Sequence, residues 1–358
     1  MQAKLKHLSF WISCILLLGI LFFEGLKVNA QVIAGDKISQ DFKALLNRPS
    51  VAPRPSFQSF STDSVLVERG SFYSEANEKV PMLIYKPVSG GMKKLPIVIC
   101  LHGTGGSKEN ADMKDLLYRF SKLGFMAVAI DGRYFGERLN TLPGHNNYVE
   151  AIIKAWKNKD STHQQHPFYF DTVYDLWKLV DYLCTRSDVD SSRIGMMGIS
   201  KGGIETWMAA SVDKRIKVAV PVIAAQSFRW SLENNRWLGR AKTIWGVHEQ
   251  AAKDRGDTGV NQQNVAAVWN KLLPGITGEF DCPSMIGLFA PRPLLLLNAA
   301  KDQNCPLPGA KLAFDAAIKS YRQQNALDKL KMDVEPNEPH RFTPRHKEMA
   351  IAWFKQWL

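Results

Sequence analysis

Arg193-Ile194-Gly195-Met196-Met197-Gly198-Ile199-Ser200-Lys201-Gly202-Gly203 decides how this chain folds. Arg193–Gly198 reads as a strand buried on both faces, and a helix is expected from Ser200 onward. Between them a serine sits with glycine two residues before it and two after. At a strand-to-helix junction that spacing describes a nucleophile elbow. The turn is tight enough that only glycines tolerate the contacts flanking the serine. It lifts the hydroxyl above the sheet edge and aims the helix N-terminus toward it. The bland alternative is a tight turn with a capping serine.

Outward from this junction, apolar runs alternate with amphipathic ones. Leu95–Leu101 and Phe125–Ile130 read as buried strands separated by a helix near 109–123. A helix over Tyr174–Thr185 precedes the elbow strand, and strand Val218–Ile223 follows the elbow helix. Strand Leu294–Asn298, a helix near Lys311–Tyr321, strand Lys331–Val334 and a final helix Pro344–Leu358 complete the series. Strands alternating with helices predict an α/β fold with a mostly parallel sheet covered on both faces. Val65–Glu68 and Met82–Tyr85 read as a hairpin ahead of it, and residues 31–60 as an extended leader over the surface. Residues 133–172 and 225–290 interrupt the alternation. The second segment holds Trp230, Trp237, Trp245 and Trp269 and is expected to be a helical lid within one domain spanning 61–358.

A serine hydroxyl is a weak nucleophile without a base, and the chain order to look for is Ser, acid, His. Only His248, His340 and His346 follow Ser200. His340 stands in the loop after the last strand, from which it can reach back. His248 falls in the lid, and His346, behind the Thr343-Pro344 start signal, is expected to be a surface or capping residue. Asp302 ends the strand before the last one and is the candidate acid, its role being to hold the imidazole in the right tautomer. Its bland reading is a turn-forming aspartate. Asp281 and Asp333 fit less well, one in the lid and one inside a strand. The glycine-rich loop His102-Gly103-Thr104-Gly105-Gly106 ends a buried strand, so the Thr104 amide can join the Lys201 amide as an oxyanion hole. His102 itself reads as structural. No GxxxxGK[ST] or GxGxxG motif supports a phosphate site, and the cysteines and carboxylates lack the spacing of zinc or calcium ligands. No metal and no cofactor is expected.

Arg133, Tyr134 and Arg138 follow a strand end and are candidate pocket residues; salt bridging within the scaffold is the competing reading. Trp230 and Trp237, with Trp245, are candidates for stacking on sugar rings against the alternative of packing inside the lid.

The stretches HGTGG at 102, DGRYFGER at 131, RIGMMGISKGG at 193, APRPLLLLNAAKD at 290 and PHRFTP at 339 together resemble the α/β-hydrolase superfamily. The likeness is to its dienelactone hydrolase, acetyl xylan esterase and prolyl-oligopeptidase-like branch and covers residues 80–358. It implies an α/β-hydrolase fold, Ser200 as nucleophile, Asp302 as acid, His340 as base, and Thr104 and Lys201 as oxyanion donors. Acetyl xylan esterases of that branch often carry glutamine after the serine, where this chain has Lys201. No propeller domain accompanies the resemblance, which counts against a peptidase.

The 358 residues carry 46 Lys and Arg against 34 Asp and Glu, for a net charge of +12, and 45% are apolar. That excludes a largely disordered or multi-pass membrane chain. Lys4, Lys6 and His7 precede the apolar run Leu8–Phe23, and Val28-Asn29-Ala30 offers a small-residue cleavage site. Residues 1–30 are thus expected to be a signal peptide, with an uncleaved anchor as the alternative. The run falls short of the roughly 20 residues that span a bilayer. Export to the periplasm or medium would leave a chain of charge +10 with no stable membrane association. Cys282 and Cys305 could pair there or remain free thiols. The expected substrate is a carboxylic ester, on an acetylated or acidic polysaccharide, processed by a serine hydrolase. The alternatives are a peptidase or amidase with the same residues, and a binding protein that has kept the fold without the activity. No basic, aromatic-interleaved run suggests nucleic acid.

Overall fold

The computed structural model describes residues 35–62, 64–88, 94–139 and 147–358. The expected signal peptide therefore lies outside the described residues. Among the described residues nine strands form one sheet in the order β1-β2-β3-β5-β4-β6-β7-β8-β9. β1 (Ser56–Ser61), β2 (Val65–Glu75) and β3 (Glu78–Pro87) make an antiparallel flank that joins β5 (Met126–Ile130). β4 (Leu95–Leu101), β5, β6 (Val189–Ile199), β7 (Ile216–Val222), β8 (Leu294–Ala299) and β9 (Leu330–Glu335) run parallel. The α/β-hydrolase fold read from the sequence is the fold observed.

Period-two alternation explains the two-sided core. Ile97, Ile99 and Leu101 of β4 belong to one apolar cluster, while Val98 and Cys100 of the same strand belong to the other. The second cluster is closed by α2 (Ala111–Lys122) and the C-terminal helix Pro344–Trp357, through Leu116, Leu117, Phe120 and Phe354. The first is closed by the helices Phe170–Cys184 and Lys201–Val212, with Leu176, Leu179, Ile204 and Trp207 buried. With α1 at residues 35–45 and α3 at Asn147–Lys157, these become α4 and α5. The insertion carries α6 (Phe228–Glu233), α7 (Leu238–Ala241), α8 (Trp245–Arg255), α9 (Gln262–Leu272) and α10 (Cys282–Met285). The remaining helices are α11 (Leu307–Gln323) and α12, the C-terminal one.

The leader departs from expectation. Residues 35–45 are helical, and Phe42 and Leu46 are fully buried. The Phe42 ring sits 5.2 Å from Phe170, 5.8 Å from Trp177 and 5.1 Å from Phe280, so α1 is pinned between α4 and the insertion. Three turns of isolated helix would be marginal; burial of an aromatic face holds this one. Residues 47–55 carry no regular structure and, with the edge strand β1, run largely exposed as expected for the rest of the leader.

The sheet order also fixes where a site can form. From β4 the chain continues to β5 on one side, while β6 and its successors build outward on the other. Loops leaving the C-terminal ends of β4 and β6 therefore diverge and open a crevice between them. Thr104 follows β4 and Ser200 follows β6.

Candidate active site

Ser200 joins β6 to α5 with φ 54° and ψ −111°, a left-handed backbone that a non-glycine residue adopts only when its surroundings impose it. The imposition is visible on both sides. The Ser200 amide donates to Val222 O at 2.9 Å, and its carbonyl accepts from the Ile204 amide at 2.9 Å. A Cβ on Gly198 would lie 2.2 Å from the Gly202 carbonyl carbon, and one on Gly202 would lie 2.6 Å from Leu101 O. The flanking glycines are required because backbone passes where their side chains would stand.

His340 and Asp302 converge on this serine. His340 Nε2 is 2.7 Å from Ser200 Oγ, and His340 Nδ1 is 2.7 Å from Asp302 Oδ2. Asp302 leaves the end of β8 and its side chain is fully buried; its Oδ1 accepts from the amides of Asn304 at 2.7 Å and Cys305 at 2.8 Å. With both oxygens engaged, the carboxylate holds Nδ1 as the protonated nitrogen and leaves Nε2 free to take the serine proton. His340 is part-exposed and faces an open cavity of ≈ 600 Å³, lined among others by Thr104, Ser200, Ile223, Thr243 and Asn304.

The oxyanion loop is braced from behind. Gly103 packs against Ser200, and Thr104 enters the cavity lining. Lys201 opens α5, so its amide belongs to the first turn, which has no acceptor within the helix. Its side chain turns away from the cavity: the ammonium pairs with Glu205, both groups nearly inaccessible, and lies 5.0 Å over the Phe135 ring. Burial raises the Glu205 carboxyl and Lys201 opposes that rise. His102 serves the same scaffold, as expected. Its Nδ1 donates to Gly103 O at 2.8 Å and its Nε2 accepts from the Gly132 amide at 3.0 Å. Burial, and then the Lys201 ammonium, push the imidazole down to about 4, which keeps it in the neutral form these two bonds need.

Other expected pocket residues are placed elsewhere. Arg133 is a correction: its guanidinium is buried, with Nη2 2.9 Å and Nε 3.1 Å from Asp175, and it also pairs with Glu75. Arg138 reaches the same Asp175 at 2.8 Å and Glu78 at 2.9 Å. Burial, which would raise Asp175, is outweighed by these two guanidiniums, which hold it far below the carboxylate range. Together they fasten the β2–β3 hairpin to α4. Tyr134, with φ 64°, lines a separate depression beside Gly105, Gly106 and Tyr148. Trp230 and Trp237 are half-buried and absent from the cavity wall; Trp237 packs on the core, and Trp230 lies over Gly309 of α11. The insertion instead gives the cavity Thr243. His346 is also a correction, being fully buried with Nε2 3.0 Å from Asp333, although Thr343 caps α12 as its sequence suggested. Cys282 and Cys305 are both buried free thiols. Thr243 carried no signal in the sequence; it meets the cavity only through folding, beside Ile223 and Phe342.

The acetyl xylan esterase (AXE1) family model matches residues 43–228, and the prolyl oligopeptidase family model matches residues 170–358. The chain belongs to the acetyl xylan esterase and prolyl oligopeptidase branch of the α/β-hydrolases. It is 26% identical over 297 residues to the protein YtaP of Bacillus subtilis (strain 168), covering 79% of this chain and 85% of that one. Among solved structures it is similar to the acetyl xylan esterase from Paenibacillus sp. R4, with a TM-score of 0.65 and 21% identity over 90% of this chain and 94% of that one. Methylesterase BT1017 shares the fold with a TM-score of 0.65 and 19% identity, over 92% of this chain and 64% of that one. The acetyl xylan esterase match supports a hydrolase of the carboxylic ester type.

Proposed function

We propose that this protein is an exported serine esterase that removes acetyl or methyl groups from a decorated polysaccharide through an acyl-enzyme. The observation that carries the reading is the pair of 2.7 Å contacts joining Ser200 to His340 and His340 to Asp302 at the wall of an open cavity. In the first step His340 Nε2 takes the Ser200 proton as Oγ attacks the ester carbonyl. The oxyanion that forms is met by the amides of Thr104 and Lys201, each such donor contributing about 3 kcal/mol to the transition state. His340 then returns the proton to the leaving oxygen, which is a sugar hydroxyl for an acetyl ester and methanol for a uronate methyl ester. Water, activated by the same histidine, releases the acid. Asp302 orients the imidazole and stabilises the imidazolium.

A carbohydrate substrate is favoured by the family and by the expected signal peptide. No helix among the described residues is long and apolar enough to cross a membrane. The test is release of acetate and methanol from a panel of plant cell-wall polysaccharides by wild type and Ser200→Ala. Serine-dependent acetate means a deacetylase, serine-dependent methanol a uronate methylesterase, and release of neither refutes the polysaccharide reading.

The match of the prolyl oligopeptidase model over residues 170–358 favours a second reading, a peptidase or amidase using the same residues. Faster turnover of aminoacyl anilides than of acyl esters would decide for it. A fluorophosphonate probe separates both from a binding protein without activity, which would take up no label at Ser200.

A further inference from the structure

Arg240 is a buried cation in the insertion that the proposed chemistry does not use. It lies in α7, 1% exposed, and makes no ion pair with a carboxylate among the described residues. Its neighbours are the Phe228 ring at 5.9 Å, the Tyr169 hydroxyl and one peptide carbonyl; its Nε has no partner among the described residues. Leaving a guanidinium so poorly neutralised is costly unless it serves a nearby negative charge.

The carbonyl it holds shows which charge that is. Arg240 Nη2 donates to Asn304 O at 2.8 Å, and Gln226 Nε2 reaches the same oxygen at 3.3 Å. The peptide unit that contains Asn304 C=O also contains the Cys305 N–H, and this N–H donates to Asp302 Oδ1 at 2.8 Å. A peptide whose oxygen accepts a charged bond donates more strongly through its own N–H. The guanidinium is therefore linked to the Asp302 carboxylate through one polarised peptide. The preceding residue reinforces the docking. A Cβ on Gly239 would lie 2.1 Å from Gln303 O, so the helix backbone rests directly on the carbonyl next in line.

We propose that Arg240 is a positioning residue, which latches the insertion onto the loop of the acid and holds the Asp302 carboxylate in register with His340. The proposal rests on the Ser200–His340–Asp302 reading above. Gly239-Arg240 packs on the carbonyls of Gln303 and Asn304 as a unit, so the insertion braces the acid loop from behind besides giving the cavity Thr243.

The experiment compares wild type, Arg240→Gln, Arg240→Lys and Ser200→Ala in hydrolysis of p-nitrophenyl acetate, with active sites counted by fluorophosphonate titration. Arg240→Gln is expected to lower kcat per titrated site roughly 10–100-fold with KM within about twofold, since orientation and not binding is lost. The low-field proton resonance of the His340–Asp302 hydrogen bond should shift or vanish in that variant. Arg240→Lys, which retains the charge, should recover most of kcat and the resonance. The proposal is overturned if Arg240→Gln keeps wild-type kcat and resonance, if its loss only tracks the number of titratable sites, or if Arg240→Lys falls as far as Arg240→Gln. Undiminished hydrolysis by Ser200→Ala would instead remove the proposed function itself, and with it the acid that Arg240 is argued to position.

Discussion

His248 gives the sharpest link between a buried side chain and a measurable property. It sits in α8 with no accessible surface, and neither ring nitrogen has a hydrogen-bond partner among the described residues. Burial alone pushes its imidazole from 6.5 down to about 4. For a base shifted in that direction the stabilised form is the neutral one. Its contribution is whole above pH 6.5 and is lost as pH falls toward 4, because the unfolded chain takes up a proton that the folded chain refuses. A shift of this size is worth about 3 kcal/mol, at roughly 1.4 kcal/mol per pH unit. His248→Leu removes the titration while keeping an apolar side chain of similar volume. Urea unfolding of both proteins at steps from pH 7.5 to 4 should give a stability difference that is constant above 6.5. Below that it should move in favour of the variant by about 3 kcal/mol over the window. His102 titrates over the same range but is present in both proteins, so the difference isolates His248. A difference that stays flat with pH would refute the reasoning.

Arg133→Met should cost about 3 kcal/mol in chemical denaturation, because it strips the buried Asp175 of one partner, yet leave kcat per titrated site unchanged. A raised KM would instead return Arg133 to the pocket. Phe42→Ala should lower stability by roughly 3–5 kcal/mol, as for any large aromatic removed from a core, and a loss near zero in a denaturant melt would mean α1 is dispensable. Gly202→Ala places a Cβ 2.6 Å from Leu101 O and 2.7 Å from His102 O, so the elbow and the oxyanion loop must separate. The rate of fluorophosphonate labelling of Ser200 on folded protein should fall about 100-fold or more.

The parallel sheet, the elbow and the identity of the three converging residues were legible in the sequence. Continuous apolar runs between amphipathic ones admit few other folds, and Gly198 and Gly202 flank Ser200 because backbone must pass there. Asp302 and His340 could be named since each occupies the loop leaving a parallel strand, and all such loops open on one edge. The sequence missed the helix in the leader, while the tryptophans took the packing reading it allowed. Nothing in the composition of residues 31–60 marks Phe42 as a core residue, for its partners Phe170, Trp177 and Phe280 lie more than 120 positions away. The sequence left Arg133 between the pocket and a scaffold salt bridge, and folding brought Glu75 and Asp175 to it. Local pattern determines which segments become strands and helices, because backbone geometry repeats every two or 3.6 residues. Which charges neutralise one another, and which wall a cavity acquires, are decided by contacts between distant segments. Arg240 meeting the carbonyl of Asn304 across 64 positions is such a contact. It has no period to read, and only the tertiary structure could supply it.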